Sequence, residues 1–220
     1  GCVFDLDGVI TDTAKFHFAA WKKLAAQKLN LDLPASFETE LKGISRTDSL
    51  VRILEWGKIR DNYNDEQIAK LAAQKNDYYL EAISSLTRYD ILPGINDLIN
   101  QLEEHDIKLS LASASKNAPF ILKKLGLFNR FDAIVDPAKI KHGKPAPDIF
   151  LEGAAAVGLK PAECVGLEDA VAGVHAIKAA GMVAVGVGDA QELHEADEVV
   201  PSTAELSFVL LESVWKRVTA

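Results

Sequence analysis

The chain has 220 residues, of which 48% are hydrophobic and 25% are charged. This composition is typical of one large or two small globular domains and excludes a wholly disordered chain. The formal net charge of −8 argues against nucleic acid as the main partner, and no apolar run approaches the roughly 18 residues that cross a bilayer, so we expect no membrane partner either.

The two cysteines, Cys2 and Cys164, each lie in a short apolar run. Two cysteines are too few for a disulfide framework, so we expect buried free thiols in a reducing compartment. None of the five histidines has the paired spacing with cysteine that is typical of a zinc site. No secretory leader pattern stands at the start of the chain. Together these features predict a cytoplasmic protein, which we expect to be a monomer.

The chain begins with a predicted strand, Cys2–Leu6, and then changes character. Only helical patterns follow, at Ala14–Leu29, Arg46–Trp56 and Asp65–Leu86. A long helical insert directly after the first strand predicts a second, smaller domain at 14–87. We expect it to sit over the carboxyl end of that strand, with 1–13 and 88–220 forming the main domain.

From residue 95 onward, short apolar runs alternate with helical patterns. This alternation predicts an α/β domain in which helices cover both faces of a parallel sheet. The predicted strands are Lys108–Ala112, Ala133–Val135, Cys164–Leu167, Val183–Val187 and a short edge strand at Val199–Val200. The predicted helices are Ile95–Glu104, Ala118–Leu125, Pro147–Val157, Val171–Ala180 and Ala204–Val218.

The first predicted strand runs directly into Asp5-Leu6-Asp7-Gly8. Side chains two apart on an extended chain point the same way, so Asp5 and Asp7 should face one spot at the carboxyl end of the strand. Open α/β sheets place their ligands at that end. Taken alone, a polar strand end followed by a turn at Gly8 explains the pattern better than a functional site does.

Three later strands are also followed by polar groups. Ser113 precedes a helix start, where free N–H groups favour an anion, although an ordinary helix cap explains it equally well. Lys144-Pro145 follows the third predicted strand and is, taken alone, a solvated loop lysine. Glu168-Asp169 follows the fourth, where the helix dipole alone favours acids.

The four strand ends together predict more than each does alone. They present the pair Asp5 and Asp7, Ser113, Lys144, and the pair Glu168 and Asp169 to one face. Two unit charges about 4 Å apart repel by roughly 4 kcal/mol at an effective dielectric constant near 20, so four carboxylates cannot converge there unpaired. A divalent cation resolves the conflict, and a set of oxygen ligands without His or Cys suits Mg²⁺ shared with a substrate phosphate.

These motifs also carry a family resemblance. Asp5-x-Asp7-Gly-x-x-x-Asp12, Ser113, Lys144-Pro145 and Glu168-Asp169 resemble, in order, the four motifs of the haloacid dehalogenase superfamily of phosphotransferases. The match spans nearly the whole chain, and a four-part match at this spacing is highly specific. The resemblance implies a Rossmann-like core with an inserted helical cap.

The resemblance implies a role for each matched residue. Asp5 would be the nucleophile that becomes an aspartyl-phosphate, and Asp7 would be the general acid and base. Ser113 and Lys144 would hold the phosphoryl oxygens. The implied Mg²⁺ ligands are Asp5, the main-chain oxygen of Asp7 and Asp169, with Glu168 close to the hydration shell of the ion.

Within the superfamily the chain is similar to the sugar-phosphate mutases. The stretches that carry this similarity are 7–13, His17-x-x-x-Trp21, 41–46, 112–117 and 166–169. It implies interconversion of β-D-glucose 1-phosphate and D-glucose 6-phosphate through β-glucose 1,6-bisphosphate. The cap would have to exclude water, because phosphorylated Asp5 would otherwise hydrolyse.

A mutase acting through a sugar bisphosphate must hold one phosphate at Asp5 and the other farther away. Arg46 on the cap is the first candidate for that distal phosphate, since a guanidinium binds phosphate well. On the core, the candidates are Ser115, Lys116 and Asn117. The further candidate substrate contacts are Trp21, Lys42, Gly43, Ile44, Ser49, Lys75 and Ala114. Thr13 and His17 are candidates for orienting Asp7 and the cap loop.

Several of the cap residues also have plainer explanations. Arg46 could face solvent at its helix start, although the helix dipole is mildly unfavourable for a cation there. Trp21 could simply pack in the cap core. Lys75 falls on an apolar stripe, where a lysine commonly extends its stem along the surface.

Two alternatives to the mutase remain at this point. A sugar-phosphate phosphatase on the same scaffold would let water, rather than a sugar hydroxyl, reach phosphorylated Asp5. A non-catalytic binding module of the same fold should have lost Asp5, Asp7 or Lys144, and all three are present.

Overall fold

The computed structural model describes residues 1–41 and 44–220. Its strands are β1 (Cys2–Phe4), β2 (Leu109–Leu111), β3 (Ala133–Ile134), β4 (Val165–Glu168), β5 (Val183–Val187) and β6 (Glu198–Val200). Its α-helices are α1 (Ala14–Leu24), α2 (Arg46–Trp56), α3 (Asp65–Ile83), α4 (Ile95–Glu104), α5 (Ala118–Leu125), α6 (Asp148–Ala156), α7 (Val171–Ala179) and α8 (Phe208–Thr219).

The six strands form one parallel sheet in the order β3-β2-β1-β4-β5-β6. The strand order reverses next to β1, which is where doubly wound sheets open a crevice for ligands. The register sets Phe4 opposite Leu167, so Asp5 and Glu168 follow side by side at the carboxyl ends of neighbouring strands. The predicted Rossmann-like parallel core is therefore confirmed.

The chain divides into two compact units, one of residues 1–12 and 86–220 and one of residues 13–85. We call the first the core unit and the second the helical unit. In the core unit, one cluster of buried residues includes Val3 of β1, Phe150 of α6 and Ile177 of α7. A separate cluster, which includes Trp21, Leu50 and Ile68, lies within the helical unit. Each unit thus has its own hydrophobic core.

The element boundaries follow local capping signals. Ser45 accepts a hydrogen bond from the backbone N of Asp48 and starts α2 where the sequence predicts it. Asn64 and Gln67 form a full capping box at the start of α3. Side-chain acceptors at these positions satisfy N–H groups that have no partner inside the helix.

The structure differs from the predicted elements by more than one residue at four ends. The helix predicted over Asp65–Leu86 ends at Ile83. The helix predicted over Ala14–Leu29 is α-helical only to Leu24 and continues as π-helix to Leu29. The final helix starts at Phe208 rather than Ala204, because Ser207 accepts a hydrogen bond from Leu210 N and caps it there. The first strand ends at Phe4 rather than Leu6, because the chain bends into a tight turn.

Both cysteines are buried and free, as predicted. Across residues 1–41 and 44–220, no helix has both the length and the apolar composition that a membrane crossing requires.

Candidate active site

Asp5 lies directly after β1 and is buried. Its backbone N donates to Leu167 O at 3.0 Å, which extends the pairing with β4 by one residue. The turn beyond it is closed by Gly8 N donating to Thr11 O at 2.9 Å, and Gly8 has a φ of 76° that an L side chain rarely adopts. Asp7 forms an isolated β-bridge with Thr11 inside this turn. The backbone of Asp5 is therefore held by β4, whereas the backbone of Asp7 is held by the turn.

Lys144 joins the ends of two strands through its ammonium group. Its Nζ donates to Asp5 Oδ1 and to Glu168 Oε2, at 2.7 Å in each case. The side chain is only 1% exposed. Burial lowers the pKa of Lys144, but the charges and hydrogen bonds of the two carboxylates outweigh burial and raise it above its usual value. Lys144 therefore stays charged and bridges the two acids.

The loop that carries Lys144 is fixed by the first residue of α6. Asp148 Oδ2 accepts from His142 N at 3.1 Å and lies 3.1 Å from His142 Nδ1. Within the loop, Ala146 N donates to Gly143 O at 3.0 Å, and the Lys144–Pro145 peptide bond is cis. Asp148 thus supports the approach of Lys144 to the strand ends, although the sequence analysis did not single it out.

Glu168 ends β4 and is fully buried beside Asp5. Its Oε1 accepts from the backbone N atoms of Asp169 and Ala170, at 3.2 Å each, while Oε2 receives Lys144. Burial, followed by the charge of Asp5, raises the pKa of Glu168 above its usual value against the opposing effect of Lys144. One lysine between two buried carboxylates leaves an excess of negative charge, and proton or cation binding relieves it.

Three carboxylates meet at this point. Oxygen atoms of Asp5, Glu168 and Asp169 all lie within 4.8 Å of one another. Asp169 also reaches the turn after β1, because a Cβ added to Gly8 would overlap its carboxylate. An all-oxygen donor set with excess negative charge fits Mg²⁺, so these residues suit the ion that the sequence predicts.

The segment after β2 is held at the start of α5 by hydrogen bonds from its backbone N atoms to its own side chains. Ser113 is buried, and its Oγ accepts from Ser115 N at 3.1 Å. Ser115 Oγ in turn accepts from Asn117 N at 3.3 Å, and Asn117 is the N-cap residue of α5. Ala114 and Lys116 lie in the same turn. Because β2 is next to β1 in the sheet, this segment begins at the same edge as Asp5.

The helical unit contains a second polar cluster, built on α1 and α3. Lys75 is 1% exposed, and its Nζ lies 2.6 Å from His17 Nδ1 and 4.7 Å from the Trp21 ring centroid. The His17 ring stacks on Tyr79 with centroids 3.8 Å apart. Burial, then the charges of Lys75 and Arg46, hold the pKa of His17 well below its usual value. His17 is therefore neutral and can accept a hydrogen bond from Lys75.

The remaining predicted residues of the helical unit flank this cluster or the start of α2. Thr13 is the N-cap residue of α1, and its buried hydroxyl has no hydrogen-bond partner among the described residues. Arg46 opens α2, and burial lowers its pKa against the opposing charges of Tyr79 and Asp77. Ser49 Oγ donates to Ser45 O at 2.9 Å. Ile44 lies just before this helix, whereas Lys42 and Gly43 lie outside the described residues.

The structure therefore places the predicted residues in two groups. Asp5, Lys144, Glu168 and Asp169 converge in the core unit, and His17, Trp21 and Lys75 converge in the helical unit. Tyr79 also belongs to the second group, although the sequence analysis did not single it out. Its position four residues after Lys75, on the same helix face, is the signal that could have identified it.

Comparison with known proteins assigns this chain to an enzyme family. Residues 1–181 match the family model described as haloacid dehalogenase-like hydrolase. A β-phosphoglucomutase from Bacillus subtilis (strain 168) is 48% identical over 215 residues, which cover 98% of this chain and 95% of that protein. A fructose-1-phosphate phosphatase from Escherichia coli (strain K12) is 35% identical over 190 residues, which cover 85% of this chain and 95% of that one.

Solved structures give the same likeness. The crystal structure of a β-phosphoglucomutase from Clostridium difficile superposes with a TM-score of 0.97 at 44% sequence identity. The superposition covers 99% of this chain and 97% of that one.

Proposed function

Because this chain belongs to the haloacid dehalogenase-like hydrolase family, we propose that it acts as a β-phosphoglucomutase. It interconverts β-D-glucose 1-phosphate and D-glucose 6-phosphate, as its likeness over nearly its whole length to named β-phosphoglucomutases supports. The observation that carries the proposed site is the convergence of Asp5, Lys144, Glu168 and Asp169 at neighbouring strand ends.

In this mechanism Asp5 is the nucleophile. Phosphorylated Asp5 gives its phosphoryl group to the free hydroxyl of the sugar phosphate, while Asp7 takes the proton of that hydroxyl. The resulting β-glucose 1,6-bisphosphate reorients, Asp5 accepts the other phosphoryl group, and Asp7 returns a proton to the departing oxygen. General acid and base catalysis of this kind accelerates a reaction by about 10²–10⁴-fold.

The other core residues balance charge around the phosphoryl group. Lys144 already contacts Asp5 and is the group we assign to a phosphoryl oxygen, together with the Ser113 hydroxyl. Asp5, Asp7, Glu168 and Asp169 are the residues we assign to Mg²⁺. When bound, Mg²⁺ supplies positive charge that lets an anionic carboxylate meet an anionic phosphoryl group.

The distal phosphate needs donors of its own. We assign it to Arg46, with Ser115, Lys116 and Asn117 as further donors. Lys75 and Ser49 are assigned to the sugar phosphate, together with Trp21, Lys42, Gly43, Ile44 and Ala114. His17 and Thr13 are assigned to orienting Asp7 and the segment before α2.

We also propose that the protein works as a monomer in the cytoplasm. A single copy of the chain supplies the nucleophile and three candidate metal residues, so these need no second copy, and free cysteines are expected in a reducing compartment. Analytical ultracentrifugation with and without Mg²⁺ is expected to give the monomer mass.

One product assay separates this function from its main alternative. The protein is supplied with β-D-glucose 1-phosphate, Mg²⁺ and a trace of β-glucose 1,6-bisphosphate. We expect D-glucose 6-phosphate without a matching amount of inorganic phosphate, because a sugar hydroxyl and not water accepts the phosphoryl group. Glucose and free phosphate in equal amounts would instead identify a sugar-phosphate phosphatase, the activity named for the relative from Escherichia coli.

Two variants test the assigned roles in the same assay. Asp5→Asn keeps the size of the side chain but removes the nucleophile, so we expect turnover to fall by about 10⁴-fold or more. Arg46→Ala is expected to impair use of the sugar phosphate far more than turnover of a small acyl phosphate, which has no distal phosphate. Near-normal turnover by Asp5→Asn, or equal losses on both substrates for Arg46→Ala, would contradict these assignments.

A further inference from the structure

Gly173 is buried in the first turn of α7, directly beyond β4. Glycine is an unfavourable helix residue, because it loses more backbone freedom on folding than any other residue. Gly173 is not among the glycines with positive φ, so its backbone conformation does not require glycine. The reason for a glycine here must lie in the space around it.

That space is filled by Glu168. A Cβ added to Gly173 would overlap Cγ, Cδ and Oε2 of the Glu168 side chain. The carboxylate cannot move aside freely, because it is buried and both of its oxygens are bonded. Oε1 accepts from the backbone N atoms of Asp169 and Ala170, and Oε2 accepts from Lys144.

We infer that Gly173 is a positioning residue for Glu168. By having no side chain, it leaves the room in which the Glu168 carboxylate lies against the start of α7. This position lets Glu168 face Lys144 and stay within 4.8 Å of the oxygens of Asp5 and Asp169. The inference deepens the proposed function, on which it rests for the identity of the metal site.

A methyl group at residue 173 should therefore act through Glu168. In Gly173→Ala the carboxylate is displaced from Lys144 and from the other candidate metal ligands. Loss of a group that orients metal ligands typically weakens metal binding by about 10–100-fold, so we expect the dissociation constant of Mg²⁺ to rise by about tenfold or more. Alanine favours helix more than glycine does, so α7 itself is not weakened by the change.

The test is a calorimetric titration with Mg²⁺ alone, in the absence of any sugar phosphate. Wild type, Gly173→Ala and Gly153→Ala are compared as full-length folded proteins. Gly153 is the matched control, because it is also a buried helical glycine, but a Cβ there would approach Val3 and Ser110 instead of Glu168. We expect Gly153→Ala to change the thermal midpoint while its Mg²⁺ affinity stays within about twofold of wild type.

A double-mutant cycle shows whether the effect passes through Glu168. Glu168→Ala removes Cγ, Cδ and both oxygens, which include all the atoms that a Cβ at residue 173 would overlap. We expect the pair Gly173→Ala and Glu168→Ala to bind Mg²⁺ no more weakly than Glu168→Ala alone, since effects that share one side chain are not additive. If Gly173→Ala alone does not fold, the same double variant should still fold, because the shorter side chain at residue 168 leaves room.

Three results would overturn the inference. The first is wild-type Mg²⁺ affinity in Gly173→Ala, the second is independent losses that multiply in the double variant, and the third is a double variant that fails to fold. Because the titration contains no sugar phosphate, its result for Gly173 does not depend on whether the protein is a mutase. Conversely, wild-type Mg²⁺ affinity in Gly173→Ala would contradict the role of Gly173 but not the proposed mutase activity.

Discussion

Lys144 sets the charge balance of the core site. Its ammonium group is the shared partner of Asp5 and Glu168, which the sheet brings side by side. Asp5 and Lys144 are 139 residues apart in the chain, so this contact forms only when the sheet is complete. A buried charge that loses its partner costs far more than an exposed one does.

Replacing this lysine tests that balance. Lys144→Met leaves two buried carboxylates without their cation, and we expect the free energy of unfolding to fall by about 3–5 kcal/mol. Added Mg²⁺ should recover part of this loss, because it also offsets the carboxylate charge. The measurement is urea unfolding with and without Mg²⁺.

Lys178→Met is the control for this comparison. Lys178 pairs with Asp197 at 2.5 Å, but its side chain is 37% exposed, so its removal should cost much less. A loss in Lys144→Met no larger than in Lys178→Met would contradict a buried three-membered charge network.

At the scale of elements, the loop before α6 delivers Lys144 to the site. Asp148 holds this loop through His142 N, so Asp148→Ala should free it. We expect a stability loss of about 1 kcal/mol from the lost hydrogen bond and a fall in kcat of up to about 10²-fold from misplacement of the lysine.

The control for Asp148→Ala is Ser207→Ala, which removes the cap of α8. It should cost a comparable amount of stability while kcat stays near wild type. Stability comes from chemical denaturation and kcat from the product assay. If the two variants lose kcat equally, the loop has no special role in the reaction.

The pair of α1 and α3 predicts a pH dependence of stability. The pKa of His17 in the folded state lies well below 6.5 because of burial and the nearby charges of Lys75 and Arg46. Below about pH 6.5, His17 therefore binds a proton in the unfolded chain but stays neutral in the folded chain. The free energy of unfolding should fall as the pH drops, by up to about 1.4 kcal/mol per pH unit from this one group.

His17→Gln should flatten that dependence, as measured by urea unfolding between about pH 5 and 7. His194→Gln serves as the matched control, because His194 is exposed and its ring contacts a backbone oxygen, that of Gln191. An unchanged pH dependence in His17→Gln would show that folding does not lower the pKa of His17.

At the scale of the whole molecule, the chain leaves the sheet after β1 and returns beside its point of departure. Thr11 bridges to Ile91, and Leu92 N donates to Ile10 O at 2.9 Å. The core unit, residues 1–12 and 86–220, also contains every strand of the sheet. The helical unit is thus an insertion into a sheet whose own pairings do not include it.

This organisation predicts that the core unit survives without the insertion. In the test variant, residues 13–85 are replaced by a short Gly/Ser linker. We expect it to fold and to bind Mg²⁺ with a dissociation constant within about tenfold of that of the full chain, because the loss of groups that do not contact the metal changes affinity by about this amount. It should turn over a small acyl phosphate but not sugar phosphates, since Arg46 and Lys75 are absent. Calorimetry and the two activity assays measure these properties. A folded core that fails to bind Mg²⁺ would show that the metal site needs the helical unit.

The sequence determined much of this protein because its strongest signals are local. Apolar runs, their alternation with helical patterns and a helical insert predicted the parallel sheet and most helix bounds. The order of the motifs at Asp5, Ser113, Lys144 and Glu168 predicted which groups should converge. These signals act within a few residues, so they can be recognised without knowing the fold.

Only the tertiary structure decided how those groups are held. The bridging of Asp5 and Glu168 by Lys144, the support of its loop by Asp148 and the space left by Gly173 all depend on packing between distant segments. No short-range pattern encodes them, because burial and hydrogen-bond partners arise from the assembled sheet. The spacing of Tyr79 from Lys75 could have marked it as a candidate, but its stacking on His17 is decided only when α1 and α3 pack together.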